Sequence, residues 1–120
     1  MMVILAIEGL PPTINHYWGV RGKRRFVKKE GKEWKKKVWA TAKNKKIEKF
    51  DKDKKIVMSI FFLSPRNFGD LDNRLKPLLD SLEGVLFEND KQIRKFEVVE
   101  AKKAQKDFTI ITLRELHEID

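Results

Sequence analysis

The 120-residue chain contains no cysteine and only two histidines, His16 and His117. The missing thiols exclude a disulfide framework and any zinc site built from thiolates, and they suit a reducing compartment, so we expect a cytoplasmic protein. Two histidines so far apart in sequence do not indicate a histidine-based metal site. No apolar run approaches the roughly 20 residues of a membrane span. The opening MMVILAIEGL is expected to be a strand rather than a signal peptide.

Negative charge is scarce in the first half of the chain. Residues 1–55 carry 17 Lys and Arg against 6 Asp and Glu, a net charge of +11, whereas residues 56–120 carry 10 against 12, a net charge of −2. This asymmetry indicates an anionic partner bound by one region, which leaves nucleic acid, a phosphorylated ligand or an anionic membrane surface open. The many dispersed basic residues favour nucleic acid. The alternative is a solvated lysine-rich surface like those of heat-adapted proteins.

The pattern of apolar residues predicts one small α+β domain over residues 1–120. We expect a mixed sheet with two helices packed against it, in the order β-α-β-α-β-β. The predicted strands are 3–7, 55–63, 93–101 and 108–113, and the predicted helices are 30–49 and a segment within 70–84. The first two strands are apolar on both faces, so both are expected to be central. The short link between the last two predicts an antiparallel hairpin.

Smaller features refine this outline. Residues 13–29 are expected to form a loop or a loose hairpin. In the first helix, Trp34 and Trp39 cannot face the same way, so one is expected in the core. In the second helix one face is expected to pack on the core, and it carries Leu71, Leu75, Leu78, Leu79 and Leu82. Pro77 predicts an irregular start or a kink, and Gly84 marks the expected helix end.

The stretch GDLDNRLKPLLD sets Asp70 and Asp72 two residues apart, with Asn73 and Lys76 on the same flank of the predicted helix. A third acid, Asp90, follows in FENDKQI. Mg²⁺ prefers carboxylate oxygens, and such an ion can activate water and neutralise charge on a scissile phosphate. Lys76 would stabilise negative charge in the transition state. The pattern therefore favours phosphodiester hydrolysis. The alternatives are acids that cap a helix and a lysine that pairs with Asp72 or with Asp80.

The stretch RGKRRFVKK is the candidate for DNA-backbone contact. Arg24 and Arg25 are able to bind phosphates bidentately, and the alternative is a mobile, solvated loop. Phe26 either stacks on or wedges between bases or anchors to the core. Tyr17 and Trp18 either pack behind the site, which is the favoured expectation, or stack on DNA. Asn15 either caps backbone groups or approaches the acids. The predicted DNA contacts are Asn15, Arg21, Lys23, Arg24, Arg25, Lys28, Lys29 and Asn73.

Taken in order, LPPTINHYW, FVKKEGKEWKKKV, DLDNRLKPLLDSL and NDKQI resemble the RusA-like Holliday junction resolvases over residues 9–95. The resemblance implies a small, dimeric nuclease that depends on Mg²⁺ or Mn²⁺ and nicks four-way DNA junctions symmetrically, with no membrane partner. It implies that Asp70, Asp72 and Asp90 bind the metal and that Lys76 is catalytic. It assigns no role to Asp80.

Two positions depart from the family pattern. Members often carry two acids before the glutamine motif, and here the first is Asn89, which is expected to weaken metal binding slightly. A basic residue can precede the first Asp, and here it is Gly69, which is expected to alter phosphate contacts. Two other functions stay open: an inactive basic DNA-binding module, and a less selective nuclease for branched DNA or RNA.

Overall fold

The computed structural model describes residues 2–66, 69–101 and 104–117. Its elements are β1 (Met2–Glu8), α1 (Ile14–Tyr17), β2 (Trp18–Arg21), β3 (Arg24–Val27), α2 (Lys29–Asn44), β4 (Ile56–Leu63), α3 (Asp72–Leu82), a 3-10 helix (Asp90–Gln92), β5 (Ile93–Ala101) and β6 (Phe108–Glu115). The predicted α+β class with a mixed sheet is confirmed. The short α1 adds a third helix to the two that were predicted.

The main sheet has the strand order β1-β6-β4-β5. The prediction that β4 is central is confirmed, and the same prediction for β1 is wrong because β1 lies at an edge. Its burial alternates: Val3, Leu5 and Ile7 are buried, whereas Met2 and Ile4 are more than half exposed. The apolar residues on both faces of β1 thus reflect a sheet face that no helix covers.

The predicted β5–β6 hairpin is also wrong. β5 pairs with β4 in parallel, and β6 lies between β1 and β4, antiparallel to both. Ser64, which directly follows β4, contacts the end of β5 and the start of β6. Its N–H donates to the carbonyl of Ala101, and its hydroxyl donates to Asp107. The inner position suits β6, whose residues are all at least partly buried and include the buried Thr109, Ile111 and Leu113, while the charged β5 is mostly exposed and suits an edge.

The segment expected to be a loop or loose hairpin contains α1 and a two-stranded sheet in which β2 pairs with β3, hereafter the hairpin. Gly22, with φ of 64°, lies at its turn, where a positive φ favours glycine. Phe26 lies across Gly19, where an added Cβ would come within 2.6 Å of its ring. Phe26 is nevertheless 43% exposed, so it is not a core anchor.

Helix α2 ends at Asn44, five residues earlier than predicted. Lys46 takes a positive φ of 54°, its N–H donates to the carbonyl of Lys43, and the N–H of Ile47 donates to that of Ala42. This pair of hydrogen bonds is a common way to end a helix, and no glycine marks the position here. The prediction for the tryptophans is confirmed, since Trp34 is buried and Trp39 is 53% exposed.

Helix α3 packs the predicted leucine face on the core, with Leu78 and Leu82 fully buried and the other three partly buried. Pro77 lies inside the helix and cannot donate to the carbonyl of Asn73. The core side of the sheet meets α2 and α3 in one apolar cluster. Among the described residues, no helix has the length and apolarity needed to cross a membrane.

Candidate active-site groove

The two predicted acids of the DLD motif lie at the start of α3. Gly69 turns the chain with φ of 72°, and Asp72 is the first residue of the helix. The N–H of Asn73 donates to the carbonyl of Asp70 at 3.3 Å, which gives the tight first turn expected at this irregular start. Both aspartates are exposed. Their negative charge is favourable at a helix N-terminus, but exposure also leaves the carboxylates accessible to a cation.

The flank of α3 carries Asp72, Lys76 and Asp80 at spacings of four, so these side chains lie on one side of the helix. Within the described residues no ion pair joins Lys76 to either aspartate. Asp80 instead accepts a hydrogen bond from the Tyr17 hydroxyl at 2.6 Å and lies 3.4 Å from the ammonium of Lys35. The ammonium of Lys76 is therefore available to a ligand.

The third predicted acid, Asp90, begins the 3-10 helix, and its neighbours fix that turn. Asn89 accepts the N–H of Lys91 through its side chain at 2.8 Å. The buried Gln92 accepts from the N–H groups of Glu88 and Asn89, and its amide donates to the carbonyls of Asp51 and Lys54. The departure at Asn89 thus supplies a helix cap. The glutamine of the family motif is a structural residue that holds Asp90 in place.

Glu83 is a groove residue that the sequence analysis missed. Its carboxylate accepts the N–H of Asp90 at 3.0 Å. It lies seven residues after Lys76, close to two helical turns, so the spacing of Lys76, Asp80 and Glu83 was the signal that could have placed it on the same flank.

These residues line an open groove of about 260 Å³. One side, the hairpin wall, consists of Trp18 and Arg25. The other side, the helix wall, consists of Lys76, Leu79, Asp80, Glu83 and the adjoining Asp90. The structure thus brings Asp90 and Lys76 together with Arg25, a predicted DNA contact. Asp70 and Asp72, both described, are not part of this lining.

The side chains at the groove and at the start of α3 suit a divalent metal ion only in part. The donors at hand are exposed carboxylates, which are the ligands that Mg²⁺ prefers. In the described part of the chain, however, no group of three or more His, Cys, Asp or Glu side chains is placed to hold a metal ion. The assignment of Asp70, Asp72 and Asp90 as a metal site therefore stays a prediction.

The other predicted DNA contacts lie in the hairpin, next to it in sequence, or in α3. Arg25 lies over the ring of the partly buried Trp18 at 4.1 Å, so Trp18 takes part in the groove rather than only packing behind it. Lys28 precedes α2 and donates to the carbonyl of Asn15 at 2.8 Å. The remaining contacts are exposed, with Arg21 in β2, Lys23 in the turn, Arg24 in β3, Lys29 at the start of α2 and Asn73 in α3.

Two further contacts fix the chain before α3. Arg74 donates to the carbonyl of Pro11 at 2.6 Å, and its burial lowers its pKa. Asp107 accepts from Ser64 at 2.6 Å and pairs with Arg66 at 2.5 Å. The Ser64 hydrogen bond has the largest effect on the pKa of Asp107, and together with the bond and charge of Arg66 and the charge of Arg74 it holds that pKa below its usual value, although burial raises it. The loop that leads to Asp70 is thus anchored at its start.

The buried Tyr17 has a pKa raised well above its ordinary value of about 10. Burial is the largest cause, and the hydrogen bond to Asp80 and the charge of that carboxylate add to it. The hydroxyl therefore stays protonated and keeps donating to Asp80 throughout the neutral range.

Comparison with known proteins agrees with the order of the motifs. A family model described as Endodeoxyribonuclease RusA matches residues 8–114. The crossover junction endodeoxyribonuclease rusA of Enterobacteria phage HK97 is 31% identical over 110 residues, which cover 91% of this chain and 92% of that protein.

Proposed function

Because the chain belongs to the RusA family of endodeoxyribonucleases, we propose that it resolves Holliday junctions in DNA recombination and repair. It nicks the DNA by hydrolysing phosphodiester bonds, and it acts in the cytoplasm as a single nuclease domain over residues 1–120. The observation that carries the proposal is the groove in which Lys76 and Asp90 lie opposite Arg25. A phosphate bound by Arg25 would thereby face an ammonium and a carboxylate.

We assign the divalent cation, Mg²⁺ or Mn²⁺, to Asp70, Asp72 and Asp90. When bound, it would activate water and neutralise charge on the phosphate. Since the described chain does not assemble these carboxylates beforehand, the ion or the DNA must gather them. Lys76 binds the phosphate and stabilises the charge that develops in the transition state.

The hairpin and the start of α2 bind the DNA backbone. Arg21, Lys23 and Arg24 are exposed around one turn, and Lys29 follows at the first residue of α2. Such a surface gains affinity from released counterions, and it gains most where a four-way junction crowds its phosphates. Asn15 and Asn73 are polar and exposed at the edges of this surface, where they can contact sugar and phosphate oxygens.

A homodimer would provide two grooves for a junction with nearly two-fold symmetry. The sheet face opposite the helices supports this, because the pairing register aligns an apolar row of Ala6, Ile110, Phe61 and Val99 across all four strands. Ala6 and Val99 are exposed and the other two are partly buried. We expect sedimentation to give a dimer, and Val99→Lys to shift it toward monomer. A wild-type monomer at micromolar concentration would contradict this.

The test of function is nicking of a labelled four-way junction in Mg²⁺ or Mn²⁺, with EDTA, a linear duplex and a hairpin RNA as controls. We expect symmetric, metal-dependent nicks in the junction. Asp70→Asn and Asp72→Asn should abolish cleavage and keep or strengthen binding, because a repulsive charge is removed. Parental rates in both variants would contradict the metal assignment.

One observation favours a second candidate, an inactive DNA-binding module: in the described residues the acids form no ready metal site. Tight binding of the junction without nicking in either metal would support that candidate. Equal cutting of duplex, junction and RNA would indicate a less selective nuclease.

A further inference from the structure

One hydrogen bond joins the two walls of the groove. Tyr17, the last residue of α1, precedes the hairpin directly, and its hydroxyl donates to Asp80 of α3 at 2.6 Å. The two residues are 63 positions apart in the sequence. Tyr17 is fully buried and Asp80 is partly exposed, so the bond is partly shielded from water, which strengthens it relative to a fully exposed bond.

Tyr17 is held on its other sides as well. Its carbonyl accepts the N–H of Lys28, which follows β3, at 2.7 Å, so the residue ties together both ends of the hairpin. Gly31 of α2 packs against it: a Cβ added there would lie 2.8 Å from the Tyr17 carbonyl oxygen and 3.0 Å from its ring. The ring thus has little freedom to move away from Asp80.

Asp80 lies one helical turn after Lys76, on the same flank of α3. It is also paired with Lys35 of α2 at 3.4 Å. Contacts that fix Asp80 therefore fix the turn of α3 that presents Lys76 to the groove. Tyr17 directly precedes the hairpin, and the hairpin contains Arg25. The Tyr17–Asp80 bond therefore sets the distance between the two walls.

We propose that Tyr17 and Asp80 are positioning residues, whose hydrogen bond aligns a phosphate bound on the hairpin wall with Lys76. The inference rests on the proposed nuclease function. A positioning role differs from a purely structural one. If the bond were only structural, its loss would lower the stability of the fold but leave the reaction of folded molecules unchanged.

The chain offers a matched control for that difference. Trp34 of α2 donates through its indole N–H to the hydroxyl of Ser81 at 3.0 Å, which is a buried bond between side chains. Ser81 is the neighbour of Asp80 on α3, but this bond involves no residue of the hairpin. Ser81→Ala therefore removes this bond, together with the one that the Ser81 hydroxyl donates to the carbonyl of Leu78 at 2.6 Å, and leaves the Tyr17–Asp80 bond in place.

The main experiment compares Tyr17→Phe with Ser81→Ala on a four-way junction, at a temperature where circular dichroism finds both folded. We expect Tyr17→Phe to slow single-turnover nicking by about 10- to 100-fold, the effect of misplacing reacting groups, with Kd measured without divalent metal changed less than about threefold. Ser81→Ala should change neither value more than about threefold. Equal rates in the two variants would overturn the inference.

Asp80 provides a test of mechanism, because it also lines the groove. Asp80→Asn keeps an oxygen that accepts the tyrosine hydroxyl and removes the negative charge. We expect its nicking rate to lie clearly nearer the wild-type rate than that of Asp80→Ala. If both Asp80 variants lose the same rate while Tyr17→Phe keeps it, Asp80 acts through its charge and the positioning role is wrong.

Trypsin gives a readout that needs no nuclease activity, since the hairpin contains Arg21, Arg24 and Arg25. We expect cutting within the hairpin to be several-fold faster in Tyr17→Phe than in Ser81→Ala, because loss of the bond to Asp80 lets the hairpin open more often. Equal cutting, with nicking rates also equal, would overturn the inference while leaving the nuclease function intact. If the wild-type protein nicks no junction, the proposed function fails, and the digestion alone decides whether the bond fixes the hairpin.

Discussion

The two walls of the groove differ in how firmly the fold holds them. The hairpin wall belongs to a two-stranded sheet whose residues from Val20 to Phe26 are all exposed. The helix wall belongs to a helix anchored by the fully buried Leu78 and Leu82, and the adjoining Asp90 is fixed by Gln92. The comparison teaches that the surface proposed to bind the DNA backbone has few buried contacts of its own and can adapt to DNA, whereas the proposed reacting groups lie on a rigid support.

The largest effect is expected from Lys76→Met on the helix wall. Removing a cation that stabilises the transition state should slow single-turnover nicking by about 10²- to 10³-fold, while Kd for the junction should rise less than about tenfold. The measurement is a rate at saturating protein beside a gel-shift titration. Lys52→Met, which removes one exposed lysine outside the groove, should leave the rate unchanged. A loss confined to Kd would move Lys76 to the binding surface.

On the hairpin wall, we expect substitutions to weaken junction binding rather than to slow the nicking step. The double variant Arg24→Gln and Arg25→Gln is expected to weaken junction binding roughly 10- to 100-fold and to lower the slope of log K against log salt by about 2. Binding titrations over a range of salt concentrations measure both. Lys52→Gln with Lys55→Gln, which changes the net charge equally, should affect affinity far less. An unchanged salt slope in the hairpin variant would exclude direct phosphate contacts.

Gln92→Ala tests why the helix wall is the rigid one. The variant leaves two carbonyls and two N–H groups without their partner, so we expect the free energy of unfolding to fall by roughly 2 kcal/mol. Urea unfolding measures it. Lys91→Ala, an exposed side chain in the same turn, should cost less than about 0.5 kcal/mol. Equal stability of the two variants would show that the turn does not depend on Gln92.

The smallest effect is expected on the free energy of unfolding at high pH, through the Tyr17 hydroxyl that bonds Asp80. Below pH 10, tyrosine is protonated in both the folded and the unfolded state. Above that pH the unfolded Tyr17 ionises, whereas the folded residue keeps its proton because its pKa is raised. The free energy of unfolding should therefore fall with pH by up to about 1.4 kcal/mol per unit more in the wild type than in Tyr17→Phe. Parallel curves would contradict the raised pKa.

The fold could be predicted where a residue's environment depends on its near neighbours in sequence. The leucine face of α3, the central β4 and the two environments of Trp34 and Trp39 follow from periodicity. The places of β1 and β5 could not be predicted, because pairing is decided by competition among distant strands. The end of α2 was missed because Lys46 adopts a positive φ that sequence assigns to glycine.

Two of the residues that line the groove could be predicted from the sequence, but the contacts that support them could not. The sequence patterns placed Asp90 and Lys76 in one site, and the structure brings both into the groove. The roles of Gln92 and Tyr17 depend on partners 41 and 63 residues away, which no spacing shows, whereas helical spacing could have placed Glu83 on the flank of α3. The expected convergence of Asp70 and Asp72 with Asp90 stays a prediction, since a bound cation changes the balance of repulsion among carboxylates.

The most direct measurement is single-turnover nicking of a four-way junction in Mg²⁺ by the wild type and by Asp90→Asn, with Kd determined in parallel. Our account predicts that the wild type nicks the junction and that the variant is at least about 10²-fold slower, with binding unchanged or tighter. Nicking by Asp90→Asn at the parental rate would contradict the account.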